Sequence, residues 1–293
     1  MSGVLPATGS PTAGGLDDVI GAGRPSRPIT SAEFAWIREF LHARTGIALK
    51  DGKQALVVSR LDKRLREHGL GSFSEYFALI DSGRDPDETR TAIDLLTTNE
   101  TYFFRESAHF TLLSELAARP RYEARPFRVW SAASSTGEEA YSIALTLASN
   151  MRDSRWEVVG TDISSRVVKS AQRAVYPLQA ADNIPDQLLR EYCLKGRGEM
   201  SGQFTFDKHI RQRVRFLHAN LMEPLTELGQ FDVIFLRNVM IYFDTDTKRD
   251  LVERLSQMLH PGGYLLVSHS ESINGLSDSL KAVSPSVFTR KEG

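Results

Sequence analysis

A single cysteine, Cys193, stands in a chain of 293 residues, which excludes an internal disulfide and fits a reducing compartment. No apolar run approaches the length needed to cross a bilayer, and the N-terminus lacks the charged-then-apolar pattern of a secretion signal. A cytoplasmic protein without direct membrane insertion is therefore expected. Charge of one sign is also missing. The formal net charge is −1, so no whole-protein field draws nucleic acid or an anionic membrane, and no nucleic-acid partner is expected. The Gly-Lys-Ser/Thr of a P-loop and the three glycines of a dinucleotide fingerprint are both absent. No Ser/His/Asp arrangement or catalytic cysteine is evident. The seven histidines are scattered without metal-ligand spacing, so no metal is expected; His260, beside Pro261-Gly-Gly, reads as a helix-terminal residue.

The length accommodates one large or two medium domains with real cores. Residues 1–28 are rich in Gly, Pro, Ser, Thr and Ala and read as a flexible tail, with Leu16–Ile20 able to make a short contact. From 29 to 99 the pattern is helical throughout. Ser31 can cap a first helix carrying Phe34, Ile37 and Leu41 on one side. A second helix spans roughly Gln54 to His68, closed by Gly69, with Val57, Val58, Leu61 and Leu65 as its apolar stripe. Arg60, Lys63 and Arg64, at i, i+3 and i+4, form a basic face opposite that stripe. Further helices fall at 72–82 and 86–96.

After a connecting helix at 106–118, apolar strands alternate with amphipathic helices from residue 100 to 293. Strands are expected at 127–132, 157–161, 214–217, 232–236, 264–269 and 287–290, with helices near 137–150, 164–174 and 244–259. That alternation implies an α/β fold with a mostly parallel, doubly wound sheet. The segment 196–213 breaks the pattern. Its glycines and the stretches Gln203–Asp207 and Ile210–Val214 read as small antiparallel strands, a β insertion.

Three constellations carry chemistry. The first is Trp130-Ser-Ala-Ala-Ser-Ser-Thr-Gly-Glu-Glu-Ala-Tyr141, a strand running into a turn and a helix. Small residues there let the backbone approach a ligand, with Gly137 supplying conformational freedom at the tightest point. Two glutamates following the glycine repel a pyrophosphate and tolerate a cation. About 25 residues on, a second apolar strand ends in Asp162, placed to accept hydrogen bonds from both hydroxyls of a ribose. Ribose, cationic ligand and no phosphate describe S-adenosylmethionine; a plain strand-turn-helix connection with solvated glutamates is the alternative.

The second constellation, Thr97–Glu106, lies at the junction of the helical and α/β blocks, where ligand pockets favour forming. Phe103 and Phe104 read there as a buried pair. Asn99, Thr101 and Arg105 read as ligand contacts, against a helix-cap alternative. The third is Phe231–Phe243, where a buried strand ends abruptly in Arg237 and Asn238 at the carboxyl edge at which open α/β sheets bind ligands. Tyr242 follows four residues after Asn238, its alternative being a partly buried aromatic with a wet hydroxyl.

Taken in order, Thr-Thr-Asn-x-Thr-x-Phe-Phe-Arg (97–105), Trp-Ser-Ala-Ala-x-Ser-Thr-Gly-Glu-Glu (130–139), Asp162, Asn220-Leu221 and Arg-Asn-Val-Met-Ile-Tyr-Phe (237–243) resemble the chemotaxis receptor glutamate methyltransferases, the CheR family. The similarity runs from about Ile29 to the C-terminus. It implies a class I methyltransferase-type sheet domain behind a small all-helical N-terminal domain, with a β subdomain that contacts receptors. Carried over by the resemblance, the S-adenosylmethionine contacts are Asn99, Thr101, Arg105, Glu139, Asp162, Asn220, Leu221, Arg237 and Asn238. Glu138 adjoins the matched glutamate, and either of the two is a candidate. Ala140 stands where many relatives have proline, which alters helix entry and not the chemistry. Arg105 is assigned to position the ligand or substrate carboxylate, and Tyr242 to lie near the transferring methyl.

The missing catalytic base fits this reading. A glutamate carboxylate is already ionised near neutral pH, so its attack on a sulfonium methyl, leaving S-adenosylhomocysteine, needs positioning and exclusion of water, not deprotonation. The expected substrate is an acidic stretch of a chemoreceptor cytoplasmic helix, steered by Arg60, Lys63 and Arg64, with loss of one charge per methyl ester as the adaptation signal. Two rivals are a non-catalytic S-adenosylmethionine sensor and a methyltransferase of the same architecture with another substrate.

Overall fold

The computed structural model describes residues 28–119, 125–151 and 155–291. The expected tail, with its Leu16–Ile20 contact, falls outside the described residues except for Pro28. Among the described residues, no helix is long and apolar enough to cross a membrane.

Four helices come first: α1 (Ser31–Thr45), α2 (Gln54–Glu67), α3 (Phe73–Asp81) and α4 (Pro86–Leu96). The cap of α1 is Thr30, not Ser31. Thr30 Oγ1 accepts from the Glu33 amide at 3.2 Å while the Glu33 carboxylate accepts from the Thr30 amide at 2.8 Å. The Thr-x-x-Glu spacing makes this reciprocal box, whereas a cap at Ser31 would put Phe34 at the position that must reach back. The apolar faces meet in one core of Phe34, Ile37, Leu41, Val57, Leu61, Leu65, Phe73, Tyr76, Ile80 and Leu96.

The basic face expected on α2 is largely absent. Lys63 is exposed, with 78% of its side chain in solvent, but Arg64 retains only 24%. Arg64 binds the buried Glu88 carboxylate at the start of α4, and the Tyr76 hydroxyl donates to the same carboxylate at 2.5 Å. Burial by itself would raise the Glu88 carboxyl, but hydrogen bonds from Arg64, Tyr76 and His68 outweigh it and hold the pKa at about 2. Arg60 turns the other way. Its guanidinium donates to the Leu96 and Thr97 carbonyls at 2.8 and 3.0 Å and to Thr98 Oγ1 at 3.1 Å, capping the C-terminal end of α4. Two of the three cations therefore serve the helical unit itself.

The chain then continues as α5 (Ala108–Ala117), β1 (Phe127–Ser131), α6 (Glu138–Asn150), β2 (Trp156–Asp162), α7 (Ser165–Arg173), β3 (Val175–Pro177), α8 (Asp186–Tyr192), β4 (Cys193–Lys195), β5 (Gln203–Phe206), α9 (Lys208–Arg211), β6 (Val214–His218), β7 (Phe231–Leu236), α10 (Thr245–Gln257), β8 (Leu259–Val267), β9 (Leu280–Ser284) and β10 (Val287–Arg290). Seven strands form one sheet in the order β6-β2-β1-β7-β8-β10-β9. The first five run parallel, and β10 is antiparallel to both β8 and β9.

Alternate residues of the central strands enter opposite cores, as a sheet covered on both faces requires. Val129, Val158 and Val233 pack with α5 and α6, while Trp130, Val159 and Ile234 pack with Leu251, Val252 and Leu255 of α10. The expected strands are found, with two differences. Strand β8 starts at Leu259, so His260 lies in a strand and not at a helix end. Strand β9 was not anticipated, because Leu280 alone of its five residues is buried and no alternation shows.

The β insertion is wider than 196–213 and differently built. A separate sheet of order β3-β5-β4 draws strands from 175–177 and 193–195 as well as 203–206. Ile210–Val214 is not one of its strands: Asp207 accepts from the His209 amide at 2.7 Å and starts the short α9, which leads into β6. Strands of three residues are too short to display a period, which hid β3 and β4. Phe204 and Phe206 close a cluster of rings with Phe103, Tyr141 and Tyr176; Tyr141 and Phe206 stack with centroids 4.3 Å apart.

Candidate active site

The sheet order reverses between β1 and β7, the switch point at which open α/β sheets leave a crevice beyond the strand ends. A cavity of about 350 Å³ occupies that crevice and extends under the helical unit. Its floor comes from the ends of β1, β2 and β7, and its roof from residues 45–50 and 96–102. Asn99, Thr101, Arg105, Glu139, Asp162, Asn220, Leu221, Arg237, Asn238 and Tyr242 all line it.

Asp162, 7% exposed at the end of β2, is held rigidly. Its Oδ2 accepts from the Ser135 amide and its Oδ1 from the Ser164 amide, both at 2.9 Å. Burial pushes this carboxyl above the usual range, and the two amides pull against that shift. Glu139 in the first turn of α6 takes a hydrogen bond from Ser131 Oγ at 2.7 Å and one from Arg237 at 3.1 Å. Burial raises its carboxyl too, with Arg237 opposing. Glu138 is absent from the cavity wall and binds Thr136 Oγ1 at 2.6 Å, so the pair of glutamates divides between cavity and turn.

Arg237 is buried to 1% side-chain exposure and lies under the floor. Besides Glu139 it reaches the Arg105 carbonyl at 2.5 Å and Glu106 at 3.4 Å. Two carboxylates thus share one guanidinium, which makes its burial tolerable. Asn238, with φ at +57°, is held in a left-handed turn by Glu271, whose carboxylate accepts from the amides of Asn238, Ser268 and Ile241 at 3.0, 2.9 and 3.2 Å. Asn220 ties the site to the helical unit, donating to the Arg44 carbonyl at 2.8 Å. Arg105 donates to the Glu100 carbonyl at 3.2 Å and lies over the Tyr102 ring; among the described residues no carboxylate stands at ion-pair distance from it.

The roof is fastened at both ends. Ile47 bridges Phe243 as isolated β pairing, and the Ala48 amide donates to the Tyr242 carbonyl at 2.7 Å. Gly46 makes the approach possible: φ is +73°, and a Cβ there would stand 2.5 Å from Met222 Sδ. At the far end, Asp94 of α4 accepts from the Ser165 amide at 3.0 Å and its hydroxyl at 2.9 Å, capping α7 from the other unit.

Gly137 supplies the conformational freedom expected of it and has a second role. Its φ of +100° makes the turn, and a Cβ there would strike Tyr176 Oη at 2.8 Å and Ala171 at 2.9 Å. The missing side chain thus also leaves room for α7 and the first strand of the β excursion. Lys50, Lys53, Ser135 and Glu271 were missed. Glu271 carried a readable signal, since Ser268-His-Ser-Glu271 follows a buried strand as abruptly as Arg237 and Asn238 follow theirs. The two lysines carried none, because their position depends on how the roof folds over.

The donor set suits a nucleoside with a cationic tail: fixed carboxylates at Asp162 and Glu139, amide groups at Asn99 and Asn238, and an apolar wall including Leu221, Ile241 and Phe243. Sheet order, crevice and this set define a class I methyltransferase domain with a helical unit before it. Residues 32–97 match the family model "CheR methyltransferase, all-alpha domain", and 99–288 match "CheR methyltransferase, SAM binding domain". Chemotaxis protein methyltransferase 2 of Pseudomonas aeruginosa is 42% identical over 263 residues, spanning 89% of this chain and 93% of that one. The chemotaxis protein methyltransferase of Salmonella typhimurium is 40% identical over 251 residues, 85% of this chain and 86% of its own, and that of Escherichia coli is similar at the same level. The chain belongs to the CheR methyltransferase family, and S-adenosylmethionine is its cofactor.

Proposed function

We propose that this methyltransferase of chemotaxis esterifies glutamate side chains on the cytoplasmic helices of chemoreceptors. The observation that carries the reading is the separation of charge in the cavity. Buried carboxylates, Asp162 and Glu139, line its inner end, while Arg105, Lys50 and Lys53 belong to the part of the wall built by the helical unit and the linker. A cationic donor suits the first group and an anionic acceptor the second.

In this reading residues 29–99 are the helical domain, 100–293 the methyltransferase domain, and the three-stranded excursion a subdomain. Asp162 accepts the ribose hydroxyls, and Asn99, Thr101, Glu139, Asn220, Leu221, Arg237 and Asn238 complete the donor's surroundings. The donor supplies an electrophilic methyl on a sulfonium. Arg105 orients a carboxylate at the mouth, which enters already ionised, so no side chain has to remove a proton. Tyr242 positions the reacting groups, and the roof keeps water from the reaction. Of the cations expected to steer the receptor, Lys63 is the exposed one, paired only with Glu67 on its own helix; Lys50 and Lys53 take the place of Arg60 and Arg64.

The test is transfer of labelled methyl from S-adenosylmethionine to a purified receptor cytoplasmic fragment, followed by mild base. Label that is released as methanol supports a carboxyl ester. Base-stable label points to another acceptor, and binding of the donor without any transfer points to a sensor.

A further inference from the structure

Behind the floor of the donor cavity, Glu106, His109 and His269 bring one ligand atom each to within 4.8 Å of one another. His109 Nδ1 lies 3.6 Å and His269 Nε2 3.9 Å from Glu106 Oε2. His109 is 1% exposed, and its Nδ1 has no hydrogen-bond partner.

Ser286 decides what these nitrogens carry. With its hydroxyl turned to the Pro285 carbonyl, 2.6 Å away, it accepts from both imidazoles. His109 Nε2 stands 2.9 Å from that oxygen and His269 Nδ1 3.2 Å. Each ring therefore holds its proton on the side facing Ser286. His109 Nδ1 and His269 Nε2 are left as lone pairs, both aimed at the carboxylate oxygen. Three electron-pair donors then converge, with Glu106 Oε2 also accepting from the His269 amide at 3.3 Å.

We propose that Glu106, His109 and His269 form a binding site for one divalent first-row metal ion of the zinc type. Two imidazoles and a carboxylate are a standard zinc donor set, and Zn–N and Zn–O bonds of about 2.0–2.2 Å place adjacent ligand atoms roughly 3.3–3.5 Å apart. The two spacings to Glu106, 3.6 and 3.9 Å, need to contract by a few tenths of an ångström, and the two imidazoles, within 4.8 Å of each other, close the rest by rotation of the exposed His269 side chain. The surrounding bonds are those of a prepared site: Ser286 sets both tautomers, and Ser268 Oγ holds Glu106 Oε1 at 2.7 Å. Arg237 lies close by but shares its charge between Glu106 and Glu139, so the three groups together remain anionic by one charge. His269, with 54% of its side chain exposed, gives the ion a way in. The ion would clip the segment before α5 to the loop after β8, both of which carry the donor site.

The experiment uses the full chain stripped with a chelator, titrated with Zn2+ by calorimetry and with Co2+ by visible absorption. One equivalent of each is expected to bind, with cobalt d–d bands of a nitrogen and oxygen site. His269→Ala, at an exposed position, is expected to keep the circular dichroism of the parent and to weaken both ions more than about 100-fold; Ser286→Ala, which removes the tautomer-setting hydroxyl, is expected to weaken them about 10–100-fold. Failure of either ion to saturate the parent protein, or binding left unchanged by His269→Ala, overturns the assignment.

Discussion

Asp162 serves two purposes at once, and a substitution there separates them. Its oxygens hold the Ser135 and Ser164 amides in the protein alone and offer their remaining lone pairs to the cavity. Asp162→Ala is expected to lower affinity for S-adenosylmethionine and S-adenosylhomocysteine by about 3 kcal/mol, the scale of lost hydrogen bonds to a charged acceptor. It is also expected to lower the melting temperature, since two buried amides lose their acceptor. Calorimetry on the folded variant checks the first effect; unchanged affinity for both nucleosides removes Asp162 from the ribose site. Tyr242→Phe is a purer change, because the ring and the backbone bond to Ala48 stay. Turnover is expected to fall about tenfold, the value of one hydrogen bond, with the donor Kd nearly constant. Equal loss in binding and rate assigns the hydroxyl to donor binding instead. At this scale the sequence was informative wherever a polar residue ended an apolar strand, as with Asp162 and Arg237. It was silent where partners are remote: His109 and His269 are 160 positions apart, and nothing in either neighbourhood points to the other.

Helix α2 illustrates what periodicity can and cannot settle. Heptad-like spacing correctly put Val57, Leu61 and Leu65 inward, and it put Arg60, Lys63 and Arg64 together on another side. Whether such a side meets water depends on the neighbouring helix, and here Glu88 of α4 and Tyr76 of α3 claim Arg64. Arg64→Ala is therefore expected to destabilise the helical unit by about 3 kcal/mol, since the buried Glu88 is left with only Tyr76 and His68, while Lys63→Ala stays within about 0.5 kcal/mol. Denaturant melts of the two variants check this, and equal stability refutes the buried pairing. The same carboxylate gives a pH signature. Its folded pKa, about 2, lies below the value of about 4.3 for an unperturbed glutamate. Its stabilisation is thus complete above that unfolded value and is lost as pH falls towards 2. Glu88→Gln is expected to be less stable at neutral pH and to show a flatter acid limb across that window.

At the scale of the whole molecule, two units contribute to one cavity, and the bonds between them are short and polar: Asp94 to Ser165, Ala48 to Tyr242, Asn220 to Arg44. Lys50 and Lys53 are exposed and hang from the roof. Replacing both with alanine is expected to slow receptor methylation severalfold at low ionic strength and to flatten the decline that the parent shows as salt is added. A double variant with the parent's rate and salt response rules the roof out as the steering surface.

With the proposed acceptor, the roof also implies an order of events. Residues 45–50 and 96–102 cover the donor crevice, and in the function proposed above donor and acceptor share its uncovered side. A receptor helix seated there, with its carboxylate delivered to the methyl, closes the route by which the nucleoside came. In that reading the catalytic cycle is expected to be ordered: donor on first, spent nucleoside off last. Steady-state rates should bear that signature, with S-adenosylhomocysteine competing against the donor and acting as a mixed inhibitor towards the receptor. In a cell the enzyme would idle in its loaded form, and the ratio of spent to fresh nucleoside would govern how quickly receptors are reset.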